Sequence, residues 1–170
     1  MVARRIAMVI AHEGFRDEEY WQTKDVLSKA GESITTLSSA TSPAQSKFGK
    51  SAPVDALLGD ASPEDFHAVV FVGGPGTQEY FDDPRAHAFA RALHEAGKPV
   101  TAICIAPVIL ARAGLLRGRR ATVFESGREE LTARGAEVTR EPVVIDGLVI
   151  TGNGPDAAEA FGRAVAGALG

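Results

Sequence analysis

The chain has 170 residues, 45% of them hydrophobic and 24% charged, with a formal net charge of -4. That length suits one domain over residues 1–170 with a substantial core, and the apolar fraction excludes a disordered chain. Mild acidity without a basic cluster gives no electrostatic reason to expect nucleic acid, and no apolar run approaches the roughly 18 residues of a membrane span.

The opening segment, Met1 to Ala11, carries two arginines and an apolar run too short for a signal peptide, so the cytoplasm is the expected location. Within it, Ile6 to Ile10 is continuously apolar, as in a strand covered on both faces. Asp17, Glu18 and Glu19 place acidic charge at a helix start, where the dipole favours it. Tyr20, Thr23, Leu27 and Ala30 form the stripe of that helix, and Gly31 stops it. Ile34 to Leu37 reads as the second strand. Residues 41–65 are less regular, with Phe48, Val54 and Leu57-Leu58 fitting a small hairpin or edge excursion.

Ala68 to Val72 is a third buried strand, followed directly by Gly73-Gly74-Pro75-Gly76. Asp83-Pro84 predicts a capped helix start, with Phe89, Leu93 and Ala96 inward and Gly97 as its stop. Pro99 to Ile103 predicts the fourth strand, and Ile105 to Ala113 a helix beginning without any spacer after Cys104. Ala121 to Phe124 reads as a short strand, and Leu131 to Gly135 as the end of a helix. Val143 to Thr151 contains a hairpin turning at Asp146-Gly147, and Pro155 to Leu169 is the closing helix. This alternation predicts an α/β sandwich, its mostly parallel sheet covered by helices on both faces.

Three features then fall at carboxyl ends of strands: Glu13 after the first, Gly73-Gly74 after the third and Cys104 after the fourth. With a flavodoxin-type strand order they meet in one crevice, where open α/β sheets bind ligands. Cys104 is the single cysteine, so it has no internal disulfide partner and is either an inert core thiol or a reactive one. Its place on a strand-to-helix elbow, at the positive end of a helix, favours a reactive thiolate. Glu13 is its expected partner, a carboxyl whose pKa a hydrophobic crevice raises until it can exchange a proton with sulfur. Gly73 and Gly74 let main-chain amides approach a ligand, and the Gly74 and Ile105 amides fit an oxyanion hole. His12, beside Glu13, is a lesser candidate for the crevice because strand alternation points neighbouring side chains apart.

Residues Ala102 to Pro107, with Ala11-His12-Glu13 and Val72-Gly73-Gly74, resemble the ThiJ/PfpI superfamily, the group that includes the parkinsonism-associated deglycase. Val144 to Thr151 followed by Gly154-Pro155 resembles its closing hairpin and last helix. The resemblance implies a flavodoxin-like three-layer sandwich of the class I glutamine amidotransferase type. It also implies Cys104 as nucleophile, Glu13 as its protonated partner, Gly74 and Ile105 as amide donors, and a homodimer or larger assembly. The chain departs from that pattern where histidines are expected. Ile105 follows the cysteine, where the protease-like branch has histidine, and Phe124 occupies the deglycase branch's histidine position. Asn153 replaces an arginine of the closing segment. The imidazole is missing by both routes, which argues against peptidase activity.

Other chemistries find no support. His87 and His94 stand seven residues apart on one helix face, and no cluster has metal-ligand spacing, so no metal is expected. Gly152 to Ala157 imitates a dinucleotide fingerprint but opens the last helix without a following βαβ unit, so no cofactor is expected. No Gly-x-Ser-x-Gly elbow exists, nor the late His-x-Glu pair of a glutamine amidotransferase. Two functions remain. One is a cysteine-dependent enzyme acting on small carbonyl or glycated molecules, deglycase- or glyoxalase-like. The other is a stress-response redox sensor or chaperone-like protein whose Cys104 oxidises to sulfinic acid.

Overall fold

A computed structural model describes residues 3–170. Among the described residues there are twelve strands: β1 (Arg5–Val9), β2 (Glu13–Phe15), β3 (Ser33–Ser38), β4 (Ala44–Ser46), β5 (Ser51–Ala52), β6 (Ala56–Leu57), β7 (Ala68–Phe71), β8 (Val100–Ile103), β9 (Arg120–Ala121), β10 (Glu137–Val138), β11 (Val143–Asp146) and β12 (Val149–Gly152). The α-helices are α1 (Asp17–Lys29), α2 (Pro84–Glu95), α3 (Pro107–Arg112), α4 (Arg128–Ala133) and α5 (Ala158–Ala168).

Seven strands form the central sheet in the order β11-β12-β8-β7-β1-β3-β6, parallel except for the antiparallel hairpin β11–β12. The run β3-β1-β7-β8-β12 is the flavodoxin order, with β3 on one side of β1 and β7 on the other. Strand alternation sorts the core into two layers. Ile6, Met8 and Val70 pack with Tyr20 and Leu27 of α1 and Phe161 and Val165 of α5. Ala7, Val9, Val69 and Phe71 face the other way, onto Phe89 and Leu93 of α2 and Ile109 of α3. Apolar residues on both sides explain why these strands read as continuous hydrophobic runs.

The irregular region around residue 48 is the expected hairpin, β4–β5, which joins β2 in a separate three-stranded sheet, while β6 extends the main sheet. Two boundaries differ from the sequence expectation. Ala121 to Phe124 is a strand only over Arg120–Ala121, pairing with β10, because the chain then turns to form a wall of the crevice. The helix behind Cys104 begins at Pro107 rather than Ile105, so a three-residue turn intervenes. Proline sets that start: it has no amide to donate and its fixed φ suits a first helical position.

Candidate active site

Cys104 leaves β8 with φ 67°, and among the described residues it is the one non-glycine with positive φ. A side chain in that region costs roughly 1–2 kcal/mol. Two main-chain hydrogen bonds hold it there: the Cys104 amide donates to the Gly152 carbonyl at 2.8 Å, and the Phe124 amide donates to the Cys104 carbonyl at 2.7 Å. The residue is 8% exposed, buried except for an edge on the crevice.

The acid beside it is Glu19, not Glu13. After β1 the chain runs outward as β2, where Glu13 pairs with Gln45 of β4 and its side chain is exposed. His12 turns the same way, its Nε2 lying 2.9 Å from the Ser42 carbonyl and 3.0 Å from Ser42 Oγ. Neither residue lines the crevice that holds Cys104. Gly14 and buried Phe15 then carry the chain back over the sheet, so that α1 begins at Asp17 and its first turn delivers Glu19. The signal was present in the sequence. Glu19 stands four residues before Thr23, so helical periodicity puts a carboxyl on the buried stripe rather than on the solvated face.

Glu19 is fully buried, and among the described residues neither carboxyl oxygen has a well-formed hydrogen bond. The polar groups facing it are the Cys104 thiol and the Gly73 amide. Burial pushes its pKa from 4.5 up to about 7, against smaller lowering effects from Cys104, Arg16 and Gly73. The thiol is also pushed up, first by burial and then by the Glu19 charge, with the Ile105 amide opposing. The expectation of a ready thiolate is therefore reversed. The short six-residue helix offers little dipole, and the neighbouring carboxylate disfavours a second negative charge.

Close approach depends on glycine. A Cβ on Gly73 would stand 2.5 Å from Glu19 Oε1 and 2.6 Å from Cys104 Cβ, so any side chain there separates the acid from the sulfur. Gly74 has φ +125°, and a Cβ would collide with the Gly14 carbonyl and the Arg16 amide. The Gly74 carbonyl accepts from the Thr77 amide, and the Gly74 amide itself has no main-chain acceptor among the described residues. Gly74, Cys104 and Ile105 line one cavity of about 340 Å³, with Phe124 forming part of its wall. Phe124 is 44% exposed and presents an aromatic ring, not an imidazole, to the cavity. Asn153 lines a neighbouring cavity beyond Phe124. Among the described residues no group of three or more His, Cys, Asp or Glu is placed to hold a metal ion, and no helix is long and apolar enough to cross a membrane.

The sequence pattern of the DJ-1/PfpI family matches residues 4–168. The chain belongs to the DJ-1/PfpI family. An uncharacterized protein of Methanocaldococcus jannaschii is 37% identical over 164 residues, covering 95% of this chain and 80% of that relative. The crystal structure of a ThiJ/PfpI domain protein from Brachyspira murdochii superposes with TM-score 0.96 at 31% identity, covering 99% of this chain and 98% of that one. Drosophila melanogaster DJ-1beta superposes with TM-score 0.91 at 25% identity, covering 99% and 91%. The flavodoxin-like fold that the resemblance implies is thus the DJ-1/PfpI fold.

Proposed function

We propose that this DJ-1/PfpI chain is a cysteine-dependent enzyme acting on small electrophilic carbonyls, with Cys104 as nucleophile and Glu19 as the proton carrier. The observation that carries this reading is a fully buried carboxyl with no well-formed hydrogen bond, set against a thiol on a backbone turn that costs energy to hold. A buried acid without a structural partner is destabilising, and such groups cluster where proton transfer is needed.

The proton lies on the thiol, and the Glu19 carboxylate is the base that removes it. As Sγ bonds to an aldehyde carbon, the thiol proton passes to Glu19 and the carbonyl π pair moves to oxygen. That oxygen faces the Gly74 and Ile105 amides. Return of the proton from Glu19 to the oxygen gives a neutral hemithioacetal. With an α-oxoaldehyde, moving the C1 proton to C2 and the proton on the C1 oxygen to the C2 oxygen converts this adduct to a thioester. Water then cleaves the thioester to a 2-hydroxy acid and regenerates the thiol, so the sum is addition of one water. A carboxyl titrating near neutrality suits both directions of transfer.

Turnover of methylglyoxal by the native chain and by Cys104→Ala and Glu19→Gln tests this reading. Loss in both variants is expected, and unchanged turnover in both overturns it. Mass spectrometry after mild peroxide separates the sensor alternative, which predicts two added oxygens on Cys104 and no turnover.

A further inference from the structure

The cavity over Cys104 is charged in a way the chain as a whole is not. The protein carries a net charge of -4, yet the ionisable side chains at the mouth are Arg16 and Lys47, with no carboxylate among the lining residues. The two cations are unequal. Arg16 is held by Glu18, Nη2 to Oε2 at 2.8 Å and Nε to Oε1 at 3.2 Å, so its charge is largely answered within the protein. Lys47 has no ion-pair partner among the described residues.

Lys47 is also anchored. Its amide donates to the Phe15 carbonyl at 2.8 Å. Asp17, itself buried, accepts from Ser46 Oγ at 2.7 Å and from the Phe48 amide at 3.2 Å, fastening the β4–β5 turn to the start of α1. Phe48 is 60% exposed and carries both cations on its ring, the Arg16 guanidinium 5.1 Å and the Lys47 ammonium 5.4 Å from the centroid. An exposed aromatic that gathers two like charges beside a cleft is a poor way to stabilise a fold and an effective way to hold positive charge over it.

We propose that the substrate of Cys104 carries a carboxylate beside its electrophilic carbon, and that Lys47, backed by Arg16 and Phe48, receives it. This rests on the nucleophile reading of Cys104 above and names its preferred substrate class: small oxo or aldehydic acids in preference to neutral aldehydes, which the same nucleophile turns over more slowly. One unpaired ammonium matches one monoanionic group, and a 340 Å³ cavity suits a small acid.

Iodoacetate and iodoacetamide test it, since both alkylate sulfur with loss of iodide and differ in charge. Cys104 is the single cysteine, so the labelled site is unambiguous, and the urea-unfolded chain supplies the intrinsic rate ratio. The folded protein is expected to favour iodoacetate by about tenfold more than the unfolded chain does. Lys47→Gln should lower that preference several-fold and Lys47→Glu should invert it, while about 1 M salt should collapse it in the native protein. A folded ratio equal to or below the unfolded one, or a ratio indifferent to Lys47, overturns the carboxylate assignment and leaves the nucleophile standing. Failure of folded Cys104 to react with either reagent overturns the nucleophile itself and this inference with it.

Discussion

Glu18 and Glu19 are consecutive residues of the same helical turn, and the protein treats them oppositely. Glu18 points to the rim, where the Arg16 guanidinium holds its carboxyl below the ordinary value. Glu19 points to the floor, where burial drives its carboxyl up to about 7 against weak opposition from its neighbours. Identical chemistry one residue apart becomes a solvated ion-pair member on one side and a buried acid with a raised pKa on the other. The difference comes from the helix turning about 100° between them, which sends one side chain to water and the next beneath the Gly73 turn.

Activity should break the symmetry most strongly. Glu19→Gln keeps the shape and removes the base, so turnover should fall by about 10²–10⁴-fold, while Glu18→Gln should change it by a few-fold at most with a neutral substrate. Alkylation of Cys104 by iodoacetamide should rise with pH through about 7, because ionised Glu19 is the form that accepts the thiol proton. Glu19→Gln should erase that inflection and Glu18→Gln should keep it. A profile whose inflection survives in Glu19→Gln would assign the titration to another group.

Much of this arrangement was legible in the sequence, and the failures have a common cause. Apolar runs such as Ile6 to Ile10 and Ala68 to Val72 revealed buried parallel strands because nothing but helices covers them. The elbow at Cys104 and the glycine pair were legible because strand ends and special backbone angles leave marks in residue type. Glu13 lies outside the crevice because the chain does not continue straight on from the carboxyl end of β1. The outward excursion through β2 depends on pairing with β4, some thirty residues away, and no local pattern announces it. Likewise the raised pKa of the thiol follows from its burial and from the Glu19 carboxyl that folding brings beside it, which composition does not encode. Acidic residues at a helix start have two physical meanings, dipole compensation and burial, and the dipole reading of Asp17, Glu18 and Glu19 leaves out the burial of Asp17 and Glu19.

Stability should show the next largest effect. In the folded state Glu19 binds its proton up to about pH 7, whereas unfolded it loses it near 4.5. Between those values the folded chain holds more protons, so raising the pH costs stability, and the loss is complete above the folded value. At about 1.36 kcal/mol per pH unit the shift corresponds to about 3 kcal/mol. Urea melts of native protein and Glu19→Gln should therefore diverge as pH rises from 5 to 8, with the variant gaining relative to native. Gly73→Ala follows in size. Its methyl group meets Glu19 and Cys104 at once, and a loss of about 1–3 kcal/mol with slowed alkylation is expected.

The smallest effect belongs to Glu18→Gln, and it is informative because it runs against expectation for a broken ion pair. Both partners of the Arg16–Glu18 bridge keep solvent contact, with side chains 23% and 31% exposed, so the pair contributes at most about 1 kcal/mol. Because the folded pKa of Glu18 is lowered, that contribution is present above the ordinary carboxylate range and vanishes as pH falls through the folded value. Native protein and variant should thus melt alike in acid and differ slightly at neutrality. The loss of Glu18 also frees the Arg16 charge at the mouth. If the mouth receives a carboxylate, the variant should prefer iodoacetate over iodoacetamide more strongly than native protein while being slightly less stable. A fall in both quantities would mean that Glu18 positions Arg16 for binding rather than neutralising it, and the rim would then work through geometry instead of charge.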